Sequence, residues 1–315
     1  YYIMFLAGLE MNMGDYAAFE ILASPVITSV ETDNKFSSKA VQVGNTVTIK
    51  GTGFRNSTIS SATFGGQDLN YTVVSDTEIT ASVSEQCAEG EDVITLKFDD
   101  VVVDVVSGDK LNMLKAGSDI SDYILTNVKQ PFESKEGKTS GHCTPVGWKF
   151  NYGAGNDGFC HNESEIEMPG EGLYMNDQGG LLVIQSGWEG RSKKMNGKMF
   201  QIFNIPQGIY DVVIDVAELA TNGGGRKKAG LFISKGGEEQ TPNMDASGNW
   251  TENTNLLKSV DFYKLGETYN ENYKDRRFVI ENLTIDYEGE TTLGFAVHFD
   301  SNRALKISSI KVLLK

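Results

Sequence analysis

The chain has 315 residues, with 28 basic and 43 acidic side chains that give a formal net charge of −15. Such a surface repels phosphate backbones and anionic lipid headgroups, which argues against nucleic acid and against electrostatic docking on a membrane. No run of about 18 apolar residues is present, so no transmembrane helix is predicted, and the length fits two domains, each with a core of its own.

The first 24 residues are interpreted as an N-terminal extension, in which apolar residues are mixed with Glu10, Asp15 and Glu20. No Lys or Arg precedes Lys35, so the basic region of a secretory signal peptide is not visible. We therefore expect the chain to begin as a mature fragment or as a trimmed form.

The segment 25–106 is predicted to consist of short β-strands. Residues 41–50 (VQVGNTVTIK) alternate between apolar and polar around a glycine turn. Further β-rich runs, separated by turn residues, follow at 60–64, 69–74, 78–83, 92–98 and 101–106. About seven short strands in a segment of this length are typical of an Ig-like β-sandwich.

The residues of this segment also carry a family resemblance. Four motifs occur in order, namely PVITSV at 25–30, GNTVTIKGTGF at 44–54, TFGG at 63–66 and SDTEI at 75–79. With these motifs, residues 25–106 resemble the IPT/TIG family of Ig-like domains, and the resemblance implies a spacer or an interaction module. Gly51 and Gly53 allow the chain to bend before Phe54 packs inward, and Gly65–Gly66 allow a tight hairpin.

Residues 107–121 (SGDKLNMLKAGSDIS) are polar with few strand formers and are interpreted as a linker. The second domain, 122–315, contains eight predicted strands, the number of a jelly roll, at 181–186, 199–204, 209–218, 229–234, 256–263, 277–285, 291–299 and 305–314. Residues 133–180 are rich in Gly, Asn and acidic side chains and are interpreted as long loops, where binding residues tend to lie. The predicted fold class is all-β, an Ig-like sandwich followed by a C-terminal β-jelly-roll sandwich.

The second domain resembles a family as well. Asn127, Phe132–Glu133 and Gly147–Trp148 resemble the opening of galactose-binding-like jelly rolls that bind carbohydrate, and residues 305–314 (LKISSIKVLL) resemble their last strand. Together with the IPT/TIG-like segment, the chain resembles surface glycan-utilisation lipoproteins of Bacteroidetes. The resemblance implies non-catalytic glycan binding at the extracellular or outer-membrane surface, a lipid anchor upstream of the visible start, a place in a surface glycan-uptake complex, and a spacer role for the Ig-like domain.

A sugar site needs a flat aromatic face on which the CH groups of a pyranose stack, and polar side chains that hydrogen-bond to the hydroxyl groups. Trp250 lies in the polar loop DASGNWT, Trp188 follows a strand, and Trp148 belongs to the Gly-Trp motif. For each tryptophan the alternative is packing against the sandwich, and for Trp148 this means the core. The candidate ligand-binding residues are Trp250, Trp188, Trp148, Tyr152, Arg226 and Arg303.

The cysteines allow three interpretations. Cys143 follows His142 and Cys160 precedes His161, so a Cys143–Cys160 disulfide, two free thiols and a zinc site remain open, although adjacent ligands lack the usual zinc spacing. Cys87 is expected to be a partly buried small residue. No cofactor is predicted. A structural calcium ion is compatible with the acidic composition, but the sequence names no ligands for it.

Catalysis is not expected. The chain has no Gly-x-Ser-x-Gly nucleophile elbow, and a glycosidase needs two carboxylates at a defined separation, which the sequence does not single out. His298 lies within the predicted strand 291–299, where a histidine satisfied by the sheet is expected rather than a base. Two alternatives to glycan binding stay open: a protein-interaction or adhesin-type scaffold, and accessory domains of a glycoside hydrolase.

Overall fold

The computed structural model describes residues 23–135, 137, 141–142, 145–151, 173–175, 180–185, 195–221, 227–245, 247–263, 273–299 and 303–315. The chain divides into two compact units: the first extends to Met113 without Lys35–Ser37, and the second consists of Lys35–Ser37 and Leu114–Lys315. Strands dominate both units, so the predicted all-β class is confirmed. No helix in these residues is long and apolar enough to cross a membrane.

The first unit is a two-sheet sandwich. Its strands are β1 (Val26–Thr32), β2 (Ala40–Val41), β3 (Thr46–Thr52), β4 (Ile59–Phe64), β5 (Gln67–Asp68), β6 (Asn70–Ser75), β7 (Glu78–Ser82), β8 (Gly90–Phe98) and β9 (Val105–Met113). One sheet has the order β1-β3-β7-β6 and the other β2-β9-β8-β4-β5, and only β2 and β9 pair in parallel. Val47 and Ile49 of the first sheet share one core with Phe64 and Leu96 of the second. The predicted Ig-like sandwich is confirmed.

Glycines permit the two predicted turns. A Cβ on Gly51 would overlap the carbonyl oxygen of Val26 and the ring of Phe54, so a larger residue would displace a buried phenylalanine. Gly65 and Gly66, between β4 and β5, have φ values of 56° and 74°. Two successive positive φ values are those of a type I′ hairpin, which other residues adopt only with strain.

The structure corrects the predicted linker at 107–121. Its first part belongs to β9, which pairs with β8 and β2 and fully buries Leu111 and Met113. The part that follows joins the second unit, where the N–H of Gly117 donates to the carbonyl of Leu314. Only every second residue of such a strand faces the core, so two apolar positions are enough, and the polar residues between them conceal the strand.

The second unit contains eleven strands within the residues described. Its elements are α1 (Ser121–Ile124), β10 (Gly141–His142), β11 (Lys149–Asn151), β12 (Leu173–Met175), β13 (Leu182–Gln185), β14 (Met195–Asn204), β15 (Gly208–Thr221), β16 (Lys227–Lys235), a 3₁₀ turn (Glu238–Gln240), β17 (Leu256–Asp261), β18 (Tyr273–Ile285), β19 (Glu290–Phe299) and β20 (Arg303–Leu314). Strands β13 to β20 are the eight predicted strands. Strands β10 to β12 are short and fall in 133–180, which the sequence assigned to loops.

These strands form two antiparallel sheets around one core. The six-stranded sheet has the order β10-β12-β13-β20-β15-β18 and the five-stranded sheet β11-β14-β19-β16-β17. The ring of Phe262 lies 4.6 Å from that of Phe278 in the first sheet and 6.1 Å from that of Phe295 in the second, between centroids. Because one aromatic side chain contacts both sheets, the predicted C-terminal sandwich is confirmed.

Candidate functional site

Trp250 lies on the outer face of the five-stranded sheet, in the connection between β16 and β17. Its Nε1 donates a 2.7 Å hydrogen bond to Oδ1 of Asp261, the last residue of β17. Its ring meets Phe232 of β16 edge-on, with 6.1 Å between centroids and 69° between planes. The side chain stays partly exposed. The indole is therefore held in one orientation before any ligand arrives.

Two glycines make room for this packing. A Cβ on Gly230 of β16 would lie 2.6 Å from Cζ2 of Trp250, and one on Gly294 of β19 would lie 2.7 Å from Cζ of Phe232. Phe232 and Phe200 are both fully buried although they face away from the central core. The outer face of this sheet therefore carries a second apolar layer, which the Trp250 loop covers.

Asp245 determines the shape of the loop. Its Oδ1 accepts hydrogen bonds from the backbone N–H groups of Ser247 and Asn249, both at 2.8 Å, and its Oδ2 accepts one from Nδ2 of Asn249 at 3.2 Å. These donors, the backbone N–H of Asn249 first, lower the pKa of the Asp245 carboxyl. Met244 and Trp250 pair across the turn. The Asp245 carboxylate thus holds the turn that presents Trp250.

A buried lysine ties the same connection to the sheet. Nζ of Lys198, on β14, donates to the carbonyl of Thr241 at 3.0 Å and to that of Pro242 at 3.5 Å. Burial lowers the pKa of this ammonium to about 8, and the nearby charge of Glu238 opposes the shift. Carbonyl groups that approach a buried cation are fixed more firmly than carbonyls in water.

Further contacts fix the far side of the loop. The hydroxyl of Tyr263 donates to the carbonyl of Gly248 at 2.6 Å, and Nζ of Lys228 lies 4.1 Å from the centroid of the Tyr263 ring. His298 is buried, with Nδ1 3.4 Å from the carbonyl oxygen of Met244. The histidine therefore supports the sheet and loop, as the sequence suggested.

Trp148 belongs to the core. It is 3% exposed and stacks on Phe295, with 5.8 Å between ring centroids. Its Nε1 donates to the carbonyl of Asn127, whose side chain accepts from the N–H of Glu133 at 2.7 Å and donates to the carbonyl of Glu133 at 2.8 Å. The motif that resembles the opening of carbohydrate-binding jelly rolls is thus a packing unit here. Of the two roles that the sequence left open for Trp148, burial excludes ligand contact.

Other predicted residues fall outside the part of the chain that the structure describes. These are Trp188, Tyr152 and Arg226 of the candidate site, and Cys143 and Cys160 of the proposed disulfide. Arg303 is the first residue of β20, and its backbone alone is described.

Strand register nevertheless relates these candidates. The ends of β13 and β15 lie beside the start of β20, and the starts of β14 and β16 lie beside the end of β19. The segments that contain Trp188 and Arg226 join these strand ends, Arg303 begins β20, and Tyr152 directly follows β11. Gly230, beneath Trp250, is three residues into β16, or about 10 Å from its start. These described strand ends lie together at one end of the second unit.

Sequence reasoning missed the residues that hold Trp250. Asp261 could have been noticed in the sequence, because it is an acidic residue between two apolar residues, Val260 and Phe262, in a predicted strand. Gly230 carried another signal, since glycine inside a strand often marks a close approach. Phe232 gave none, because an apolar residue in a strand is expected to face the main core.

Within the described ranges, no group of three or more His, Cys, Asp or Glu side chains could hold a metal ion. Cys87 is a free thiol that is fully buried, more deeply than predicted, and its Sγ lies 3.9 Å from Oγ of Ser84.

The first unit also matches a known family. The family model of the IPT/TIG domain matches residues 25–107. Residues 25–107 are an IPT/TIG domain. The matched range agrees with the resemblance noted for residues 25–106 and ends within β9, so the strand completes the domain beyond the match. The comparison with curated proteins gave no match.

The chain is similar to several solved structures. TmCBM61 in complex with β-1,4-galactotriose is 13% identical over 54% of this chain and 90% of its own, with a TM-score of 0.30. The K3 cleaved adhesin domain of Lys-gingipain from Porphyromonas gingivalis W83 is 12% identical over 58% and 98%, with a TM-score of 0.34. The surface glycan-binding protein PbSGBP-B from Prevotella bryantii is 9% identical over 93% and 99%, with a TM-score of 0.25.

Proposed function

We propose that the second unit binds glycans without catalysis and that the IPT/TIG domain acts as its spacer. The observation that carries this proposal is Trp250, a partly exposed indole fixed by Asp261 and Phe232. The CH face of a pyranose stacks on such a ring with little loss of side-chain entropy, because the ring is already ordered. Exposed Asn249 and Thr251, on either side of Trp250, supply an amide and a hydroxyl for the sugar hydroxyl groups.

The titratable groups support a binding role over a hydrolytic one. Among the residues that the structure describes, the carboxyl groups with clearly shifted pKa values are shifted downward by hydrogen-bond donors, and they are Asp109, Asp211, Asp215 and Asp245. A glycosidase acid works in the opposite way, since its pKa must be raised so that it stays protonated near neutral pH. These four side chains are held ionised and serve as anchors for their partners.

Charge and the sequence resemblance extend the proposal to location. A formal charge of −15 leaves neutral polysaccharides as the glycans that the chain approaches without repulsion. The resemblance to surface glycan-utilisation lipoproteins supports a place outside the cell, on the outer-membrane surface by a lipid anchor, and within a glycan-uptake complex. Any calcium ion would be structural in this scheme.

Affinity electrophoresis of the whole chain in gels that contain plant or host polysaccharides tests the function. Retardation by at least one neutral polysaccharide is expected, with no release of reducing ends during long incubation. Absence of retardation by every polysaccharide tested would overturn the proposal. Release of reducing ends would instead support the hydrolase alternative.

One observation favours a second function, a protein contact made by the IPT/TIG domain. The connection between β8 and β9 exposes Val102 completely and Val103 at 74%, and Val106 of β9 is exposed at 50%. Adjacent exposed valines are unusual on a soluble surface unless a partner covers them. Cross-linking on intact cells would compare the wild type with a chain carrying both Val102→Ser and Val103→Ser. Loss of a specific cross-link with unchanged glycan binding supports the contact, and identical cross-links exclude it.

A further inference from the structure

An open cavity lies on the outer side of the six-stranded sheet, whereas Trp250 lies on the five-stranded sheet. Its volume is about 390 Å³, and it is lined by Asp215, Val216, Asp275, Arg276, Arg277 and Ser308. Asp215 and Arg277 are opposite each other in the β15–β18 ladder. Their neighbours Ile214 and Phe278 are buried, so alternation directs Asp215 and Arg277 away from the core.

Two backbone irregularities meet at this cavity. On one side of β15, Asp275 has a φ of 50°, in the left-handed region that a non-glycine residue rarely adopts. On the other side, the register with β20 shifts after Asp215, so that Ser308 is an extra residue without a partner in the ladder. Bulges and positive φ values concentrate at functional sites, because they redirect side chains that a regular strand would separate.

Two consecutive arginines of β18 line the cavity. Adjacent residues of a regular strand point to opposite faces. Arg276 and Arg277 are adjacent, both are exposed, and both line the same cavity. Both arginines therefore border the cavity directly after Asp275, whose positive φ interrupts the regular strand.

A hydrogen-bond network orients one of these arginines. Nε of Arg277 donates to Oδ1 of Asp215 at 2.7 Å, and Nη2 donates to Oδ2 at 3.0 Å. Oγ of Ser309 also donates to this Oδ2 at 2.7 Å, and Oγ of Ser308 donates to the backbone carbonyl of Asp215. The two hydrogen bonds to Asp215 use two of the five N–H groups of the Arg277 guanidinium. Because the guanidinium is planar, some of the remaining N–H groups point away from Asp215.

The balance of charge indicates the chemistry of the ligand. The charges of Arg276 and Arg277 are offset by those of Asp215 and the exposed Asp275, so the cavity offers both donors and acceptors without a net charge. The net charge of the whole chain repels anions. A hydroxyl group donates and accepts at once. The cavity therefore suits a ligand rich in hydroxyl groups and without charge.

We propose that this cavity is a second glycan site, in which Arg276 and Arg277 bind hydroxyl groups of a neutral sugar. This inference rests on the proposed glycan-binding function. Trp250 lies on the outer face of the other sheet, so the two sites are separate. Two sites on one chain raise the avidity for a polysaccharide without any increase in the affinity of either site.

The test counts bound oligosaccharides by isothermal titration of the whole chain. The probes are short galactan, xyloglucan and mixed-linkage glucan oligosaccharides, with oligogalacturonate as the charged comparison. We expect the wild type to bind two neutral oligosaccharides and Arg276→Ala to bind one. Avidity for the parent polysaccharide should then fall on the order of 100-fold. Arg277→Lys, which keeps the charge but loses the planar fork, should have the same effect.

Lys50→Ala is the control, because Lys50 is an exposed cation of β3 in the first unit and does not line the cavity. This control variant should leave unchanged both the number of bound oligosaccharides and the avidity for the polysaccharide. A wild type that binds one oligosaccharide, with Arg276→Ala unchanged, would overturn the second site and leave the proposed function intact. Binding of oligogalacturonate alone, weakened by salt, would refute the neutral ligand. A wild type that binds none of the saccharides would overturn both proposals.

Discussion

Replacement of Trp250 by alanine is the sharpest test of the proposed glycan surface. The variant removes the indole and leaves Asp261 and the sheet beneath it in place. A pyranose face stacked on an indole removes on the order of 70 Å² of apolar surface from water, which at about 25 cal/mol/Å² is about 1.8 kcal/mol and a roughly 20-fold increase in Kd. We therefore expect a roughly 20-fold weaker complex with any glycan that the wild type binds.

A pair of variants at Asp261 separates the ring itself from its orientation. Asp261→Asn keeps an oxygen that accepts the Nε1–H of Trp250, whereas Asp261→Ala removes the acceptor and leaves the ring free to turn. Fixing a side chain on binding costs about 0.5–1.5 kcal/mol, so Asp261→Ala should weaken binding roughly 2- to 10-fold and Asp261→Asn much less. Equal losses in both variants would contradict an orienting role.

The assay is affinity electrophoresis followed by titration calorimetry on the same polysaccharide, with thermal unfolding of each variant as the control for folding. Trp250→Ala loses its edge contact with Phe232, worth about 1 kcal/mol, and its hydrogen bond to Asp261, worth about 1–3 kcal/mol, so the thermal unfolding control decides whether the variant is folded. An unchanged Kd in the folded variant would refute the reasoning that places the sugar on Trp250.

Three further predictions concern the support of this surface. Gly230→Val should lower the free energy of unfolding by about 1–3 kcal/mol and weaken glycan binding. The reason is that its Cβ would lie 2.6 Å from Cζ2 of Trp250 and 2.7 Å from the carbonyl oxygen of Val260. Thermal unfolding like that of the wild type would contradict the close packing of Trp250 on Gly230. Phe262→Ala, which opens the core between both sheets, should cost about 3–5 kcal/mol in urea unfolding, and a loss below about 1 kcal/mol would exclude that role. The pKa of Lys198 is lowered to about 8 in the folded chain. Between pH 8 and 10 the unfolded chain therefore binds more protons at this lysine than the folded chain does. The contribution of Lys198 to the free energy of unfolding should rise by about 2 kcal/mol over this pH range. The advantage of the wild type over Lys198→Met in urea unfolding should therefore grow from pH 7 to pH 10, and a constant difference would contradict the shift.

The strands of both units could be predicted because their signal is local. Residues 41–50 alternate in sequence, and β3 buries Val47 and Ile49 accordingly. The eight strands predicted for the second unit are all present, since each contains enough apolar residues at the right period. β9 was missed because Leu111 and Met113 provide its inward positions among polar neighbours, and only pairing with β8 shows that they are buried.

The candidate site could be predicted only in part, because its contacts join residues that are distant along the sequence. The sequence placed Trp250 in a polar loop and left Trp148 between ligand contact and the core. Asp261 is eleven residues from Trp250, and nothing between them indicates that their side chains meet. The cavity beside Arg277 depends on Asp215, which is 62 residues away along the chain.

The sequence alone therefore determined the all-β class, the IPT/TIG domain and the number of main strands in the sandwich that follows. These depend on hydrophobic period and on turn glycines such as Gly65 and Gly66, which act over a few residues. The tertiary structure decided that Trp148 is buried and that Trp250 is held partly exposed. That choice depends on which strand each loop covers, and strand pairing is set by the balance of burial over the whole sandwich rather than by neighbouring residues.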